Sequence, residues 1–411
     1  MILVLGVGVV GKSVIEYFRG KAPICFYDDK IQYVPDVPRF ESWDNVDLVV
    51  ASPGIALKHD MMQEAIRRGI RITNDIEIFL HHKKVGIKIA ITGTNGKSTT
   101  SAMIEHVLSR CEVDGRPAKV CIGGNFGVSP LEFPDADYYV IELSSYQLEL
   151  MNIEDLHHFD IGIITNIYPN HLSRHGAFDD YVSIKCKIFG AKYKVLGFCD
   201  LFQDWDLESM QRSEQNEQGS YFKRAIMPKV LPDAILFERV EYKYCWGIVN
   251  QVLDILGLDK QRALEIAKDY LGLPYRQEIV KTNPITVIND SKSTNGIAAK
   301  QAISNIKDPI CWIAGGAGTS EWGDLSLFSQ IIKRVYICAE NPELIAALDD
   351  AVIEYRISSD SFERIVERAY EFASLNKLTL LFSPGYQSFD KFKNFEERGA
   401  IFNEIIHKIS I

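Results

Sequence analysis

The 411-residue sequence lacks paired cysteines, an excess of basic residues and a long apolar run. Its eight cysteines include no C-x-x-C pair, so neither a zinc ribbon nor a thioredoxin-like motif is expected. Asp and Glu (55) outnumber Lys and Arg (45), and the net charge of −10 argues against nucleic-acid binding. No apolar run approaches the length that spans a bilayer, so no membrane partner is expected. No secretion signal is evident, and we expect a cytoplasmic protein with reduced thiols.

The residue pattern predicts an α/β fold built on parallel sheets, because short apolar stretches alternate with helical segments throughout. We expect three domains, comprising residues 1–82, 83–278 and 279–411, and a polar surface segment at 200–224. The predicted strands are residues 1–5, 24–27, 47–52, 86–91, 138–141, 161–165, 285–288, 310–314, 335–338 and 378–382.

A glycine-rich turn follows the first predicted strand. Gly6, Gly8 and Gly11 have the spacing G-x-G-x-x-G, and Asp28 follows the second strand. In this strand–turn–helix setting, glycines let the backbone approach a phosphate at the helix N-terminus, and an acidic residue suits a ribose hydroxyl. The pattern favours a nucleotide-phosphate site over a merely structural turn.

A second glycine-rich loop, AITGTNGKST at residues 90–99, lies between a predicted strand and a predicted helix. The usual phosphate-binding pattern G-x-x-x-x-G-K-[ST] requires a glycine where Ile91 stands. A tight turn at Gly93, a lysine for the terminal phosphates (Lys97) and a hydroxyl for Mg²⁺ (Ser98) are nevertheless present. The loop therefore indicates nucleotide binding more strongly than an ordinary Gly-Lys turn.

This loop and several further segments resemble the Mur ligase family, the ATP-dependent amide ligases of peptidoglycan assembly, and the related folylpolyglutamate synthases. The resemblance implies an N-terminal Rossmann-like UDP-binding domain, a central P-loop ATPase-like domain and a C-terminal Rossmann-like domain. Two segments are most similar to members that add D-glutamate, residues 51–55 (ASPGI) and 383–399 (SPGYQSFDKFKNFEERG). The other matching segments are residues 74–77 (NDIE), 123–127 (GGNFG), 142–148 (ELSSYQL), 274–276 (PYR) and 289–295 (NDSKSTN).

The resemblance assigns the two glycine-rich loops to different ligands. The first loop would serve the UDP substrate, not a dinucleotide, and the second would bind ATP. The implied ATP positions are Gly93, Thr94, Asn95, Gly96, Lys97, Ser98, Thr99, Arg276 and Asp290. The implied UDP-substrate positions are Val9, Val10, Asp28, Asp29, Lys30, Ser52, Gly54 and Asn125.

The family chemistry requires positive charge at the reaction centre. ATP phosphorylates a carboxylate to an acyl phosphate, so two anions must meet before an amine attacks. The implied catalytic residues are Lys97, Glu142, His171, Lys185 and Lys292. The implied metal positions, for two ions of Mg²⁺ or Mn²⁺, are Ser98, Glu142, His171 and Lys185.

Lys185 has a particular role in this resemblance, because the family carries a carbamylated lysine in a similar setting (YVSIKCKIF, residues 181–189). Lys187 is the second candidate for that modification. The residues alone favour a solvated helix lysine, the commoner fate of lysine. The resemblance favours the carbamate.

The amino-acid pocket matches the family less well. The implied D-glutamate residues are Thr294, Ser388, Phe389 and Phe395, although both phenylalanines are equally suited to a core. Thr319 stands where the family usually has a basic residue, and Asn170 where it often has Asp before the histidine. Only Asn250 is available for the pair of asparagines that usually holds adenine.

The expected function is ATP-dependent ligation of D-glutamate to UDP-N-acetylmuramoyl-L-alanine by a monomer. The alternatives are another Mur-type or folylpolyglutamate synthase-like ligase with a different amino acid, and a phosphate-binding regulatory module without catalysis. Residues 1–82 argue against the synthase, which should lack a UDP-binding domain. Glu142, His171 and Lys185 together argue against the regulatory module.

Overall fold

The computed structural model describes residues 1–83, 85–197, 225–226 and 240–409. The polar segment predicted at 200–224 lies outside these residues. The chain divides into two compact units, Met1–Tyr270 and Leu271–Ile411. The domain boundaries at 82/83 and 278/279 stay a prediction.

The first unit begins with a four-stranded parallel sheet in the order β2-β1-β3-β4. The first loop lies between β1 and helix α1, as the glycine pattern predicts. The strands are β1 (Ile2–Leu5), β2 (Ile24–Tyr27), β3 (Leu48–Ala51) and β4 (Arg71–Thr73). The helices are α1 (Val9–Phe18), α2 (Asp60–Arg67) and α3 (Asp75–His82).

A six-stranded sheet forms the rest of the first unit, in the order β12-β11-β10-β5-β9-β8 with parallel pairing throughout. A short antiparallel pair, β6 (Glu112–Val113) with β7 (Arg116–Pro117), stands apart from it. The other strands are β5 (Ile87–Thr92), β8 (Val120–Gly124), β9 (Tyr138–Glu142), β10 (Ile161–Ile164), β11 (Tyr193–Leu196) and β12 (Ala225–Ile226). The helices are α4 (Lys97–Leu108), α5 (Ser145–Leu150), α6 (Leu172–His175), α7 (Phe178–Cys186), α8 (Val240–Leu256) and α9 (Lys260–Lys268).

The central strands are near-continuously apolar because helices cover both faces of this sheet. In β5, Ala90 packs into one hydrophobic core, whereas Ile89 and Ile91 pack into the other. Parallel strands end at the same edge of a sheet. The residues that follow β5, β9 and β10 therefore meet, and this edge carries the second glycine-rich loop.

The second unit holds another six-stranded sheet, in the order β13-β14-β18-β15-β16-β17. All its pairs are parallel except β13 with β14. The strands are β13 (Glu278–Lys281), β14 (Val287–Asn289), β15 (Ile310–Ala314), β16 (Ile332–Ile337), β17 (Tyr355–Ile357) and β18 (Thr379–Phe382). The helices are α10 (Gly296–Ser304), α11 (Pro342–Asp350), α12 (Phe362–Leu375) and α13 (Phe395–Ile409).

The α/β class with parallel sheets is thus confirmed, and every predicted strand exists with ends shifted by at most three residues. The antiparallel pairs β6–β7 and β13–β14 depart from the all-parallel expectation. Within the described residues, no helix combines the length and apolar character needed to cross a bilayer.

Candidate active site

A cavity of about 200 Å³ opens at the carboxyl edge of the six-stranded sheet of the first unit, the central sheet. It collects residues that are far apart in the sequence, because the segments after β5 and β9 converge here with the helices that follow β10. Its lining residues are Gly93, Thr94, Lys97, Asn125, Ser144, Ser145, Tyr146, His171, Tyr181 and Lys185.

Gly93 allows the loop to pass close to the neighbouring strand end. Its φ of +151° is rare for residues with a side chain, and a Cβ there would lie 1.9 Å from Oγ1 of Thr165. Gly96, at φ +78°, starts helix α4 but has open space around it. The loop thus reaches the N-terminus of helix α4, a favourable place for an anion, without the earlier glycine of the usual pattern.

The loop is held in this shape by Thr165 and Asn166, the two residues that directly follow strand β10. The amides of Thr94 and Asn95 donate to the backbone oxygen and the side-chain Oδ1 of Asn166, each at 2.9 Å. The Thr165 hydroxyl donates to the carbonyl of Asn95 at 2.6 Å. Sequence analysis missed both residues, because their partners lie about 70 positions earlier in the chain.

Polar groups on the loop and beside it are joined by hydrogen bonds. Lys97 Nζ donates to the carbonyls of Gly93 and Thr94 at 2.9 and 3.0 Å, so its ammonium lies directly over the loop. The buried Ser98 hydroxyl donates to Oε2 of Glu142 at 2.6 Å. Asn125 donates to the other carboxylate oxygen at 2.7 Å, and Glu142 is held between the two.

Lys185 is buried beside this loop, so the solvated-lysine alternative is wrong. Only 1% of the residue is exposed, and Nζ donates to Thr92 Oγ1 at 3.1 Å and to the carbonyl of Gly93 at 2.9 Å. Burial and then the charge of Lys97 lower the pKa of this amine well below its usual value. Lys187 is instead half-buried, and its ammonium caps carbonyls at the end of α5.

His171 stands at the opening of the cavity, held by Asn170 and Tyr146. Its amide donates to Oδ1 of Asn170 at 2.9 Å, and Nδ1 lies 3.1 Å from the hydroxyl of Tyr146. Partial withdrawal of the ring from water, followed by the charges of Lys185 and Lys97, lowers the pKa of His171 to about 4. The imidazole is therefore neutral at physiological pH. Sequence analysis named Tyr146 only as part of a motif.

Asn125 lines the cavity, whereas the other predicted UDP-substrate residues lie at the carboxyl edge of the first sheet. Asp28 accepts three backbone N–H groups, from Val7 at 2.7 Å and from Lys30 and Ile31 at 2.9 Å. Burial alone would raise the pKa of Asp28, but these amides lower it overall. Ser52 donates to the carbonyl of Gly6 at 2.7 Å. Both side chains shape the edge, while Val9, Asp29, Lys30 and Gly54 are exposed on it and Val10 is half-buried.

The predicted residues of the second unit gather after β14 and β18. Asp290 accepts from the Ser383 hydroxyl at 2.7 Å and from the amide of Gln277 at 3.1 Å. Lys292 Nζ lies 4.1 Å from the ring centre of Phe395. Phe395 is half-buried and Phe389 is 69% exposed, so neither belongs to the hydrophobic core. Ser388 is buried, whereas Thr294 and Arg276 are half-buried. Thr319 is exposed, and Asn250 is buried in α8 of the first unit.

Comparisons with known proteins identify the family of this chain. Residues 91–217 match a family model described as the Mur ligase middle domain. A UDP-N-acetylmuramoylalanine–D-glutamate ligase of Rickettsia bellii is 31% identical over 99% of this chain and 97% of its own length. The ligase of the same name from Francisella tularensis subsp. novicida is 30% identical over 99% and 96%. The chain belongs to the Mur ligase family.

Solved structures of the Mur ligase family share the fold. The MurC ligase of Thermotoga maritima has a TM-score of 0.59 and 17% identity, covering 99% of both chains. The MurF ligase of Thermotoga maritima, solved in complex with ADP, has a TM-score of 0.59 and 15% identity, covering 99% of this chain and 95% of its own. The resemblance stated from the sequence is confirmed, and the Mur ligase family is ATP-dependent.

Proposed function

We propose that the chain joins D-glutamate to UDP-N-acetylmuramoyl-L-alanine, using ATP, in peptidoglycan precursor synthesis. Curated relatives that match nearly the full chain are named for this reaction. The observation that carries the proposal is the cavity lined by Lys97, Lys185 and Asn125. Asn125 in turn holds Glu142, which accepts a hydrogen bond from Ser98. We also propose that the protein acts in the cytoplasm and as a monomer.

Amide formation from a carboxylate needs activation followed by displacement. A carboxylate oxygen of the UDP substrate attacks the γ-phosphorus, and the bond to ADP breaks. The neutral amine of D-glutamate then attacks the acyl carbon, loses a proton and expels phosphate. Lys97 is positioned to offset the charge of the transferring phosphoryl group, because its ammonium lies over the loop. The neutral His171 is suited to orient the amine, since it carries no charge that repels an ammonium.

The Ser98–Glu142 pair fits a divalent cation. Mg²⁺ prefers oxygen ligands, and a hydroxyl and a carboxylate oxygen stand 2.6 Å apart at the edge of the phosphate loop. When bound, Mg²⁺ or Mn²⁺ would neutralise charge on the phosphates. Asn125 fixes the second oxygen of Glu142 and so keeps the carboxylate turned toward Ser98.

Carbamylation of Lys185 would complete a second cation position. The neutral amine attacks the carbon of CO₂ and releases one proton, which leaves a carbamate. Burial beside Lys97 favours that neutral amine, and the positive charge of Lys97 would stabilise the carbamate anion. With His171 nearby, the carbamate would supply the oxygen ligand that an unmodified lysine lacks.

The remaining ligand positions are proposed from the family match. The UDP moiety would contact the exposed edge of the first sheet at Val9, Val10, Asp29 and Lys30. Arg276 and Asp290 are assigned to the nucleotide and Lys292 to the γ-phosphate or carboxylate. D-Glutamate is assigned to Thr294, Ser388, Phe389 and Phe395.

A substrate panel tests the proposed function. Purified protein is given ATP, UDP-N-acetylmuramoyl-L-alanine and single amino acids, and release of phosphate and formation of the dipeptide product are both measured. D-Glutamate should be the preferred amino acid. The Lys97→Ala variant should turn over slower by orders of magnitude but should still bind the UDP substrate. Preference for another amino acid would assign the chain to another ligase. ATP binding with no turnover on any substrate would indicate a regulatory module.

A further inference from the structure

Two histidines and a buried aspartate form a cluster outside the cavity. His81 lies in the last turn of helix α3, and Asp155 and His158 lie on the 3₁₀ helix Ile153–His158. One ligand atom from each of the three residues lies within 4.8 Å of the other two. His81 Nε2 is 2.7 Å from Asp155 Oδ1, and the two imidazole rings are 5.3 Å apart between their centres. Across the described residues, no other group of three such ligands is this close.

The chemistry of these groups matches a borderline transition metal more closely than Mg²⁺. Zn²⁺ takes imidazole nitrogen and carboxylate oxygen at about 2.0–2.2 Å, and where only three protein residues bind it a water completes the tetrahedron. Ligands at that radius stand about 3.4 Å apart in a tetrahedron, so a bound ion requires small rotations of side chains. Both histidines are exposed at the surface and have room to turn, while the buried Asp155 gives a fixed point.

A buried carboxyl group supports the fixed ligand. Glu77 is fully buried and neighbours Asp155, since burial and then the nearby Asp155 carboxyl raise the pKa of Glu77. Glu77 is itself held by Arg71 at 2.6 Å and by Asn152 at 3.4 Å. Groups that orient a ligating carboxylate in this way are a regular part of metal sites.

We propose that His81, Asp155 and His158 form a binding site for Zn²⁺ that cross-links helix α3 to the 3₁₀ helix Ile153–His158. Helix α3 directly precedes β5, and β5 leads into the phosphate loop. An ion bound here would therefore fix the segment that joins the first sheet to the central sheet. Its role would be structural, since the cluster shares no residue with the cavity.

The sequence supplies matched controls, because each histidine of the cluster has an adjacent histidine outside it. His82 packs its ring on Tyr17, and Nδ1 of His157 lies 2.9 Å from the carbonyl of Gly190. The four single variants to compare are His81→Gln, His158→Gln, His82→Gln and His157→Gln. Each full-length protein is stripped with a chelator and titrated with Zn²⁺ against a chromophoric chelator. Its melting temperature is then recorded with and without the ion.

We expect wild type, His82→Gln and His157→Gln to bind one equivalent of Zn²⁺ with the same affinity and to melt at a higher temperature with the ion. In His81→Gln and His158→Gln the affinity should fall at least about tenfold, with loss of the thermal shift. Equal affinity in all four variants, or no binding by the wild type, would overturn the proposal. Circular dichroism of the stripped proteins separates lost ligands from misfolding.

This site goes beyond the proposed ligase function and is tested independently of it. The readout is metal binding and melting temperature in the absence of ATP and UDP substrate. If the chain were inactive as a ligase, the four-variant comparison would be unaffected. If the Zn²⁺ site were absent, the outcome of the amino-acid panel would stand unchanged.

Discussion

The hydroxyl oxygen of Tyr146 lies 3.1 Å from Nδ1 of His171. Helix α5 positions the tyrosine, because Ser144 and Gln147 close a capping box at the first turn of the helix. Arg174 stacks over the tyrosine ring at 4.6 Å from its centre. His171 itself has left-handed backbone dihedrals, with φ at 55°. Tyr146 thus holds the imidazole at the opening of the cavity.

Removing this hydroxyl should weaken catalysis without unfolding the protein. Phenylalanine keeps the aromatic ring and removes only the hydroxyl, so Tyr146→Phe is expected to fold normally. Loss of one hydrogen bond to His171, worth about 1 kcal/mol, should lower kcat roughly fivefold. The exposed Tyr33 provides a matched control as Tyr33→Phe. An unchanged kcat in Tyr146→Phe would show that the hydrogen bond does not position the catalytic imidazole.

The low pKa of His171 predicts a defined pH dependence of stability. The folded protein holds this pKa at about 4, against about 6.5 for a free imidazole. Between these values the unfolded chain takes up a proton that the folded chain does not, so stability falls as pH falls from 6.5 toward 4. His171→Gln should show a smaller fall in urea unfolding free energy between pH 7 and pH 5. The exposed His407, as His407→Gln, is the control, and identical slopes in all three proteins would contradict the shift.

The sequence predicted the strands around the site better than the contacts within it. Apolar runs of the right length placed β5, β9 and β10, and glycine spacing located the loop after β5. The supports at Thr165 and Asn166 were missed, since they act through hydrogen bonds to residues about 70 positions away. The burial of Lys185 likewise could not be predicted from neighbouring residues. Its burial depends on how α7 packs against β5, and local sequence alone favours the solvated state.

The two glycines of the loop should respond differently to alanine. At Gly93 a Cβ would lie 1.9 Å from Thr165 Oγ1, so Gly93→Ala must displace the loop from its support. At Gly96 the space is open, and the cost is the left-handed backbone alone, about 1 kcal/mol. The affinity for ATP and the melting temperature should therefore both fall far more in Gly93→Ala than in Gly96→Ala. ATP affinity is measured by calorimetric titration, and stability by the melting temperature. Similar decreases in the two variants would mean that the Thr165 side chain can move aside at little cost in free energy.

Lys185 and Lys187 are neighbours whose alanine variants should fail in different ways. Lys185→Ala should be nearly inactive but folded, and short carboxylic acids should partly restore turnover by occupying the place of the carbamate. Lys187→Ala removes the ammonium that caps three carbonyls, at Leu148, Glu149 and Met151, and should lower the melting temperature without any rescue by acids. An active Lys185→Ala variant that carboxylic acids do not stimulate, together with a wild type whose turnover does not depend on bicarbonate, would contradict the carbamate.

The amino-acid pocket gives the final prediction. D-Glutamate carries two carboxylates, and a charge withdrawn from water needs a charged or multiply hydrogen-bonded partner. Thr319 supplies no charge, so Lys292, Thr294, Ser388 and the amides near Phe389 are expected to hold the carboxylates. Ser388→Ala should raise the KM for D-glutamate about tenfold, which corresponds to roughly 1.4 kcal/mol, and leave the KM for ATP unchanged.

The stereochemistry of the substrate sharpens this test. We expect the buried Ser388 and the backbone amides beside it to accept only one arrangement of two carboxylates about the amine-bearing carbon. L-Glutamate should therefore be used far more slowly than D-glutamate at equal concentration. The ratio of the rate with D-glutamate to the rate with L-glutamate should be smaller in Ser388→Ala. Initial rates with both enantiomers, in wild type and variant, measure this ratio. Equal use of the two enantiomers by the wild type would show that these groups do not form the D-glutamate pocket.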